Sequence, residues 1–258
     1  MWDPATYLTF EDERSRPFVD LLSRVGAKAP ADVVDLGSGP GQLTATLAAR
    51  WPSAQVLGVD SSAEMLASAA PLTEPGRLAF AEGDAATWEP PGPVDVLVSN
   101  ATLQWVPGHR ALLTRYVSWL RPEGWLAIQV PGNFDAPSHA LVRELTESPR
   151  WAGALSGAAG RTSPVAGPAD YAEDLAALHC RVDAWETTYL HVLAGEDAVL
   201  GWVRGTALRP VLARLGPAEQ EDFLAELAPR LRGAYPPRPH GTPFPFRRVF
   251  VVAQRQAA

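Results

Sequence analysis

The feature that most constrains the fold is a glycine-rich turn between an apolar segment and the start of a helix. The segment Asp32–Leu36 is followed by Gly37, Gly39 and Gly41, and a helical pattern begins at Gln42. Glycine permits backbone conformations and close approaches that a Cβ atom would exclude. We therefore expect a strand, a tight turn and a helix that can receive a nucleotide or nucleoside, although such units also occur without a ligand.

Three acidic residues stand where they could contact such a ligand. Asp60 ends the next strand-like segment, and a carboxylate there can accept hydrogen bonds from ribose hydroxyls. Asp84 follows a third strand, and at that position its carboxylate could accept a hydrogen bond from an adenine amino group. Asp35 precedes the first glycine by two residues and would repel a pyrophosphate but attract an amino group. These positions favour a nucleoside with an amino-bearing tail.

The glycine spacing argues against a dinucleotide fold. That fold uses G-x-G-x-x-G/A, in which the third small residue lets helix and strand pack closely. The corresponding residue here is Gln42, and the spacing is G-x-G-x-G. A nicotinamide-dependent dehydrogenase is therefore the weakest of the alternatives.

Strands and helices alternate through the first half of the chain. Strands are predicted at 32–36, 55–60, 77–81, 94–99 and 125–130, and helices near residue 11, at 42–50, after Ser61 and at 109–120. A turn is predicted at 121–124, between the last of these helices and the last of these strands. Ser61 and Glu64 form a capping-box pattern at the start of one helix. The alternation implies right-handed crossovers and an open parallel sheet covered by helices. We predict an α/β, Rossmann-like fold with a mostly parallel seven-stranded sheet.

The second half has a different pattern, with a long helical insertion before the last strand. Helices are predicted at 138–146 and 170–178, a long strand at 182–192, two or three helices within 196–231 and a closing strand at 247–253. The Gly/Ala-rich stretch 152–168 is predicted to be a mobile loop. We expect one domain over 1–258, with an N-terminal lid and helix (1–25), a cofactor-binding core (30–132) and a helical cap over the active site (193–240).

Composition restricts the partners. A formal net charge of −7 argues against a nucleic-acid ligand, because phosphate backbones require a basic surface. The lone Cys180 cannot form an internal disulfide and suggests a buried structural thiol in a reducing compartment. No secretory signal and no apolar run of about 18 residues are evident, so we expect a cytoplasmic protein without a membrane span. The five histidines are scattered, so no metal is expected, and we predict a monomer or weak homo-oligomer.

Two levels of family resemblance follow from these motifs. The constellation Asp35, Gly37/Gly39/Gly41, Asp60 and Asp84 resembles the class I S-adenosylmethionine-dependent methyltransferases. Four further segments resemble trans-aconitate 2-methyltransferases: Glu13-Arg14-Ser15-Arg16-Pro17, Asn100-Ala101-Thr102-Leu103-Gln104-Trp105, Thr187-Thr188-Tyr189-Leu190-His191 and Leu208-Arg209-Pro210. The resemblance spans Tyr7 to Ala253, and the chain departs from the family at 153–167 and 240–243.

The resemblance implies transfer of a methyl group from S-adenosylmethionine to one carboxylate of trans-aconitate, giving a monomethyl ester and S-adenosylhomocysteine. A carboxylate is already anionic at neutral pH, so alignment and water exclusion would suffice without a general base. The cofactor site is then expected to comprise Asp35, Gly37, Gly39, Gly41, Asp60, Ser61, Met65, Asp84, Ala85 and Asn100.

The expected acceptor site uses side chains outside the glycine motif. An arginine can bind a carboxylate with two parallel hydrogen bonds, so arginines are candidates for binding the acceptor. Each candidate arginine named below could equally lie exposed on the surface. The candidates for substrate positioning are Arg14, Arg16, Gln104, Trp105, Tyr189, His191 and Arg209, with Arg247 and Arg248 as further possibilities. Trp2, Tyr7 and Phe10 are predicted to form a lid over the cofactor.

Two other functions fit the same motifs. The first is a methyltransferase of this fold that acts on a fatty acid, a phenol or a polyketide intermediate, for which an apolar pocket would be expected. The second is a catalytically silent protein that binds S-adenosylmethionine, because Asp35, Asp60 and Asp84 serve binding and not chemistry.

Overall fold

The computed structural model of the chain describes residues 11–159 and 165–257, with side chains from Ser15 onward. The predicted lid residues Trp2, Tyr7 and Phe10, and the side chain of Arg14, lie outside this part.

The described chain alternates helices and strands up to the fifth strand and then becomes mainly helical. The helices are α1 (Glu11–Leu22), α2 (Gln42–Arg50), α3 (Ala63–Ala69), α4 (Leu113–Trp119), α5 (Pro137–Thr146), α6 (Ala152–Leu155), α7 (Pro168–Ala176), α8 (Ala198–Arg204), α9 (Arg209–Leu212) and α10 (Pro217–Ala234). The strands are β1 (Asp32–Leu36), β2 (Gln55–Asp60), β3 (Leu78–Glu82), β4 (Val94–Asn100), β5 (Leu120–Pro131), β6 (Cys180–Leu193) and β7 (Thr242–Arg255). Short 3₁₀ turns occupy Ala70–Leu72, Leu103–Trp105 and His109–Leu112.

The seven strands form one sheet in the order β3-β2-β1-β4-β5-β7-β6. β1, β2, β3, β4 and β5 pair in parallel, and β7 is antiparallel to β5. The central strands are buried on both faces, as their nearly continuous Val and Leu content predicts. The α/β fold with a mostly parallel seven-stranded sheet is therefore confirmed. The order of the strands in the sheet changes direction between β1 and β4. Because β1, β2, β3 and β4 are parallel, their carboxyl ends meet at one edge, where open α/β sheets bind ligands.

The described residues form two compact units. The larger takes the residues up to Pro131, the segment Val165–Glu186 and the chain from Arg248 onward. The smaller takes the described residues between Gly132 and Pro164 and the segment Thr187–Arg247. Three helices separate β6 from β7, which agrees with the predicted helical insertion. The placement of 193–240 as a cap over an active site stays a prediction.

In the smaller unit, α5 packs against α10. The backbone N–H of Ser138 donates to the hydroxyl of Tyr235 at 3.0 Å, and Trp151 meets Phe223 edge to face. An aromatic cluster joins Trp202 to Phe244 and Phe246, with ring centroids 5.3 to 5.8 Å apart. These buried rings supply the core of this unit.

Three predictions of local structure need correction. The helix cap after β2 is Ser62 and not Ser61, because the Ser62 hydroxyl accepts the backbone N–H of Met65. β5 begins at Leu120, so the predicted turn at 121–124 lies inside the strand as an irregularity, with Glu123 at a φ of 64°. The stretch predicted as a mobile loop contains the helix Ala152–Leu155, whose Leu155 is fully buried.

Among the described helices, none is long and apolar enough to cross a membrane.

Candidate functional site

A cavity of about 250 Å³ opens at the carboxyl edge of β1, β2, β3 and β4. We call it the carboxyl-edge cavity, and all of its lining belongs to the larger unit. The lining residues are Gly37, Gly39, Asp60, Ser61, Met65, Gly83, Asp84, Ala85, Asn100, Ala101, Thr102, Trp105 and Val106. The structure therefore brings most of the predicted cofactor residues together, whereas Asp35 and Gly41 do not line the cavity.

The glycine turn is folded in a way that other residues could not adopt without strain. Gly37, Gly39 and Gly41 all have positive φ, between 56° and 89°. A Cβ atom at Gly37 would lie 1.9 Å from Oγ1 of Thr102, and one at Gly41 would lie 2.7 Å from the ring of Phe80. Two close approaches thus fix the path of the backbone around the cavity.

Asp60 links the glycine turn to the segment after β2. One of its carboxylate oxygens accepts the N–H of Gly39 at 2.8 Å, and the other accepts the N–H of Ser62 at 2.9 Å. Each carboxylate oxygen can accept a further hydrogen bond, so Asp60 can still receive two ribose hydroxyls. The same side chain fixes the glycine turn and lines the cavity.

The segment after β3 is held from beneath by α4. The Tyr116 hydroxyl donates to the carbonyl of Ala85 at 3.0 Å, and Arg115 donates to the carbonyls of Ala85 and Ala86. Burial raises the pKa of Tyr116 to about 12, so this hydroxyl remains a donor at neutral pH. Asp84 accepts the N–H of Ala86 at 2.7 Å with one oxygen. Its other oxygen is suited to an exocyclic amino group.

Asp35 is buried beneath the turn, with 3% of its surface exposed. The Thr44 hydroxyl donates to it at 2.6 Å. Burial raises the pKa of Asp35 to about 6; the Thr44 hydrogen bond partly opposes this, and the charge of Asp60 adds to it. Its negative charge would be stabilised by a nearby cation, although its predicted contact with the cofactor tail stays a prediction.

The segment 101–108, which we call the β4 loop, forms another wall of the cavity. Ala101 has a φ of 54°, and the Thr102 hydroxyl lies 3.2 Å from the carbonyl of Asn100 and 3.4 Å from that of Gly37. The indole of Trp105 is 51% exposed on this wall. Gln104 turns inward and donates to the carbonyl of Ala101 at 2.6 Å, so it supports the loop from behind.

The other predicted substrate residues are not part of this cavity lining. Tyr189 and His191 are buried in the smaller unit and stack on one face of β6, with centroids 6.2 Å apart. His191 also stacks on Trp202 at 5.1 Å. Arg16 is exposed and Arg209 is partly buried. Their contact with a substrate stays a prediction.

Sequence reasoning missed Gly83, Ala101, Thr102 and Val106. Gly83 and Val106 border predicted positions, and Ala101 and Thr102 stand inside a segment already singled out for its family resemblance. Their place after the strand ends could have identified them. Within the described ranges, no three His, Cys, Asp or Glu side chains converge as a metal site. Cys180 is a buried free thiol, and burial raises its pKa.

Comparison with solved structures finds the same fold in proteins of low sequence identity. The YcgJ protein of Bacillus subtilis superposes with a TM-score of 0.62 at 13% identity, covering 95% of this chain and all of that one. A Haemonchus contortus phosphoethanolamine N-methyltransferase 2, solved with S-adenosyl-L-methionine, gives a TM-score of 0.55 at 18% identity over 94% of this chain and 53% of that one. At these identities the likeness establishes the fold alone.

Sequence comparison is far more specific. A methyltransferase-domain family model matches residues 33–124. The trans-aconitate 2-methyltransferase of Streptomyces avermitilis is 55% identical over 262 residues, covering 99% of this chain and 97% of that protein. The Rhodococcus jostii protein of the same name is 55% identical over 99% of this chain and its own full length. Identity at this level extends through both units. The chain therefore belongs to the trans-aconitate 2-methyltransferase family.

Proposed function

We propose that the protein is an S-adenosylmethionine-dependent methyltransferase that converts one carboxylate of trans-aconitate to a methyl ester. The observation that carries the proposal is the 50–55% identity to trans-aconitate 2-methyltransferases over nearly the whole chain. Identity that covers the smaller unit and the glycine motif alike favours a shared acceptor as well as a shared cofactor.

The carboxyl-edge cavity has groups suited to each part of the cofactor. Asp60 would accept both ribose hydroxyls, and Asp84 would offer a carboxylate oxygen to the adenine amino group. The positive-φ turn leaves open space at Gly39, where a Cβ atom would otherwise stand, whereas the missing Cβ of Gly37 makes room for Thr102. These residues, together with Ser61, Met65, Ala85 and Asn100, would hold S-adenosylmethionine, which when bound supplies an electrophilic methyl group on a sulfonium.

The protein's own contribution to the reaction is alignment. A carboxylate acceptor carries its charge at neutral pH, so no residue has to remove a proton from it. Holding two reactants in line can lower the barrier by about 7–11 kcal/mol. Trp105 would supply an apolar wall beside the acceptor carboxylate. Excluding water there would strengthen the contacts that orient charged groups.

We further propose that Arg209 and at least one of Arg14 and Arg16 bind the carboxylates that are not methylated. A guanidinium can make two parallel hydrogen bonds to one carboxylate, which fixes its orientation as well as its charge. Gln104, Tyr189 and His191 would complete the acceptor site as positioning groups, and residues 193–240 would cover it.

The test is a transfer assay with S-adenosylmethionine labelled in the methyl group. The purified protein is incubated with trans-aconitate, a panel of other di- and tricarboxylates, and fatty acids as controls. We expect label in trans-aconitate that alkali releases as methanol, because esters hydrolyse in base whereas ethers do not. Preferred transfer to a fatty acid, or cofactor binding without transfer to any acceptor, would contradict the proposal.

A further inference from the structure

A buried histidine anchors the end of the β4 loop. His109 is 2% exposed, and its Nδ1 lies 3.3 Å from the carbonyl oxygen of Val106, which lines the carboxyl-edge cavity. Its Nε2 lies 2.6 Å from the hydroxyl of Tyr171 on α7, and Tyr171 is fully buried. The two rings stack with centroids 5.9 Å apart. One imidazole therefore connects a cavity wall to a helix more than sixty residues later in the chain.

The neighbouring groups fix the direction of these hydrogen bonds. A carbonyl oxygen can only accept, so Nδ1 of His109 must carry the proton and donate to Val106. Nε2 then has a lone pair, and the Tyr171 hydroxyl donates to it. The hydrogen bonds thus run in one direction, from Tyr171 through His109 to Val106.

Burial keeps both rings neutral. It lowers the pKa of His109, with the nearby charge of Arg110 acting in the same direction and the hydrogen bond to Val106 opposing it. It also raises the pKa of Tyr171 to about 12. A neutral imidazole with a single tautomer is a rigid connector, because both ring nitrogens are used and neither can exchange its role without losing a buried partner.

A second contact joins the same two segments at the surface. Arg110 donates to the carboxylate of Asp174 on α7 through Nε at 2.7 Å and through Nη2 at 3.0 Å. This pair is solvent-exposed and contributes little alone. The pair of His109 and Tyr171 is the buried part of this connection.

We propose that His109 and Tyr171 are positioning residues for methyl transfer, holding Val106 and Trp105 in the position that aligns the acceptor with the cofactor. The inference rests on the proposed function, since it names the reaction that depends on this wall. The Ala85 side of the cavity is held independently by Tyr116, so the two walls can be perturbed separately.

The main variant is Tyr171→Phe, which keeps the buried ring but removes the hydroxyl. Displacement of a reacting group by about 1 Å can cost on the order of 100-fold, so we expect kcat/KM to fall roughly 10- to 100-fold. The change should appear mainly in kcat, with the Kd for S-adenosylhomocysteine moving less than about threefold. A merely structural role would lower Tm and leave kcat at 25 °C unchanged, and that result would overturn the proposal.

Tyr116→Phe is the matched control. It also removes one buried tyrosine hydroxyl that is hydrogen-bonded to a cavity segment, here to the carbonyl of Ala85. We expect the opposite division of effects, with a change in Kd for S-adenosylhomocysteine larger than the change in kcat. If Tyr171→Phe and Tyr116→Phe changed kcat and the Kd for S-adenosylhomocysteine in the same proportion, the inference that the two cavity walls are held independently would be wrong.

A spectroscopic measurement tests the geometry without any acceptor. Two-bond ¹H–¹⁵N correlation spectra distinguish the two neutral histidine tautomers, and the His109→Asn variant assigns the signal. We expect the Nδ1–H tautomer at His109, and the Nε2–H tautomer would refute the proposal. His109→Asn keeps a donor near Val106 and should retain more activity than His109→Leu. If the wild-type protein did not methylate trans-aconitate, the proposed function would fail while this measurement still decided the role of His109.

Discussion

Replacing Asp60 by alanine separates the two roles that the structure gives this carboxylate. Within the protein, Asp60 accepts the backbone N–H groups of Gly39 and Ser62, and it also lines the carboxyl-edge cavity. Hydrogen bonds to a charged group contribute about 1.5–3 kcal/mol each. Counting the loss of one such bond to a ribose hydroxyl, Asp60→Ala should weaken cofactor binding by at least about 1.5–3 kcal/mol, which is roughly a 10- to 100-fold rise in Kd.

The same substitution should also lower stability, so a control is needed that removes an equivalent carboxylate elsewhere. Asp95 provides it, because its carboxylate accepts the N–H groups of Ala31 at 2.7 Å and Asp32 at 2.9 Å, also pairs with Arg121 at 2.8 Å, and does not line the cavity. Asp95→Ala should lower Tm at least as much as Asp60→Ala but leave cofactor affinity unchanged.

Calorimetric titration with S-adenosylhomocysteine, together with thermal unfolding of the cofactor-free proteins, measures both quantities. We expect a loss of Tm in both variants and a loss of affinity only in Asp60→Ala. An Asp60→Ala protein that binds S-adenosylhomocysteine as the wild type does would refute the assigned contact. Equal weakening by Asp95→Ala would show that affinity merely follows stability.

Four further predictions concern the turn, the N-terminus and the acceptor. Burial raises the pKa of Asp35 to about 6 from an unfolded value of 3.8, so the charge of Asp35 lowers the free energy of unfolding above pH 6, and this loss disappears as the pH falls toward 4. Asp35→Asn should therefore add about 3 kcal/mol to the free energy of unfolding at pH 8 and little at pH 4, as measured by urea titration. Gly37→Ala should abolish detectable S-adenosylhomocysteine binding by calorimetry, because its Cβ would meet Thr102 at 1.9 Å. Deleting residues 1–10 should reduce turnover far more than Tm, and equal activity would identify a passive tail. Arg209→Ala should lower kcat/KM for trans-aconitate by one to two decades, with partial recovery in Arg209→Lys, and normal kinetics would exclude the assigned carboxylate contact.

The fold was predictable from the sequence because its signals are local. Residues 32–36 and 55–60 are apolar runs of strand length, and a glycine turn or capping serine follows each of them directly. The boundaries of later elements were less accurate where the chain departs from regular geometry. At 120–124 the signal for a turn was real, since Glu123 has a positive φ, but the sheet tolerates that turn within β5 by shifting register beside Val94 and Val96.

The candidate site was predictable where a side chain that lines the cavity directly follows a predicted strand. Asp60 and Asp84 each stand at the end of a strand, so their position could be inferred from spacing alone. The hydrogen bond from Gly39 to Asp60 could not be inferred, because it depends on how β1 and β2 align in the sheet. Contacts such as His109 to Tyr171 were still less accessible, since no local pattern links residues so far apart in sequence.

The two carboxylates proposed to bind the cofactor are held by backbone amides near strand ends: Gly39 and Ser62 fix Asp60, and Ala86 fixes Asp84. Substituting other side chains leaves those amides in place, so the nucleoside half of the cavity should tolerate sequence change. The β4 loop also has backbone hydrogen bonds and the contact of Gln104, but its end is tied to α7 by two buried side chains, His109 and Tyr171, that have to match each other. Substitutions at this pair should therefore alter acceptor use before they alter cofactor binding.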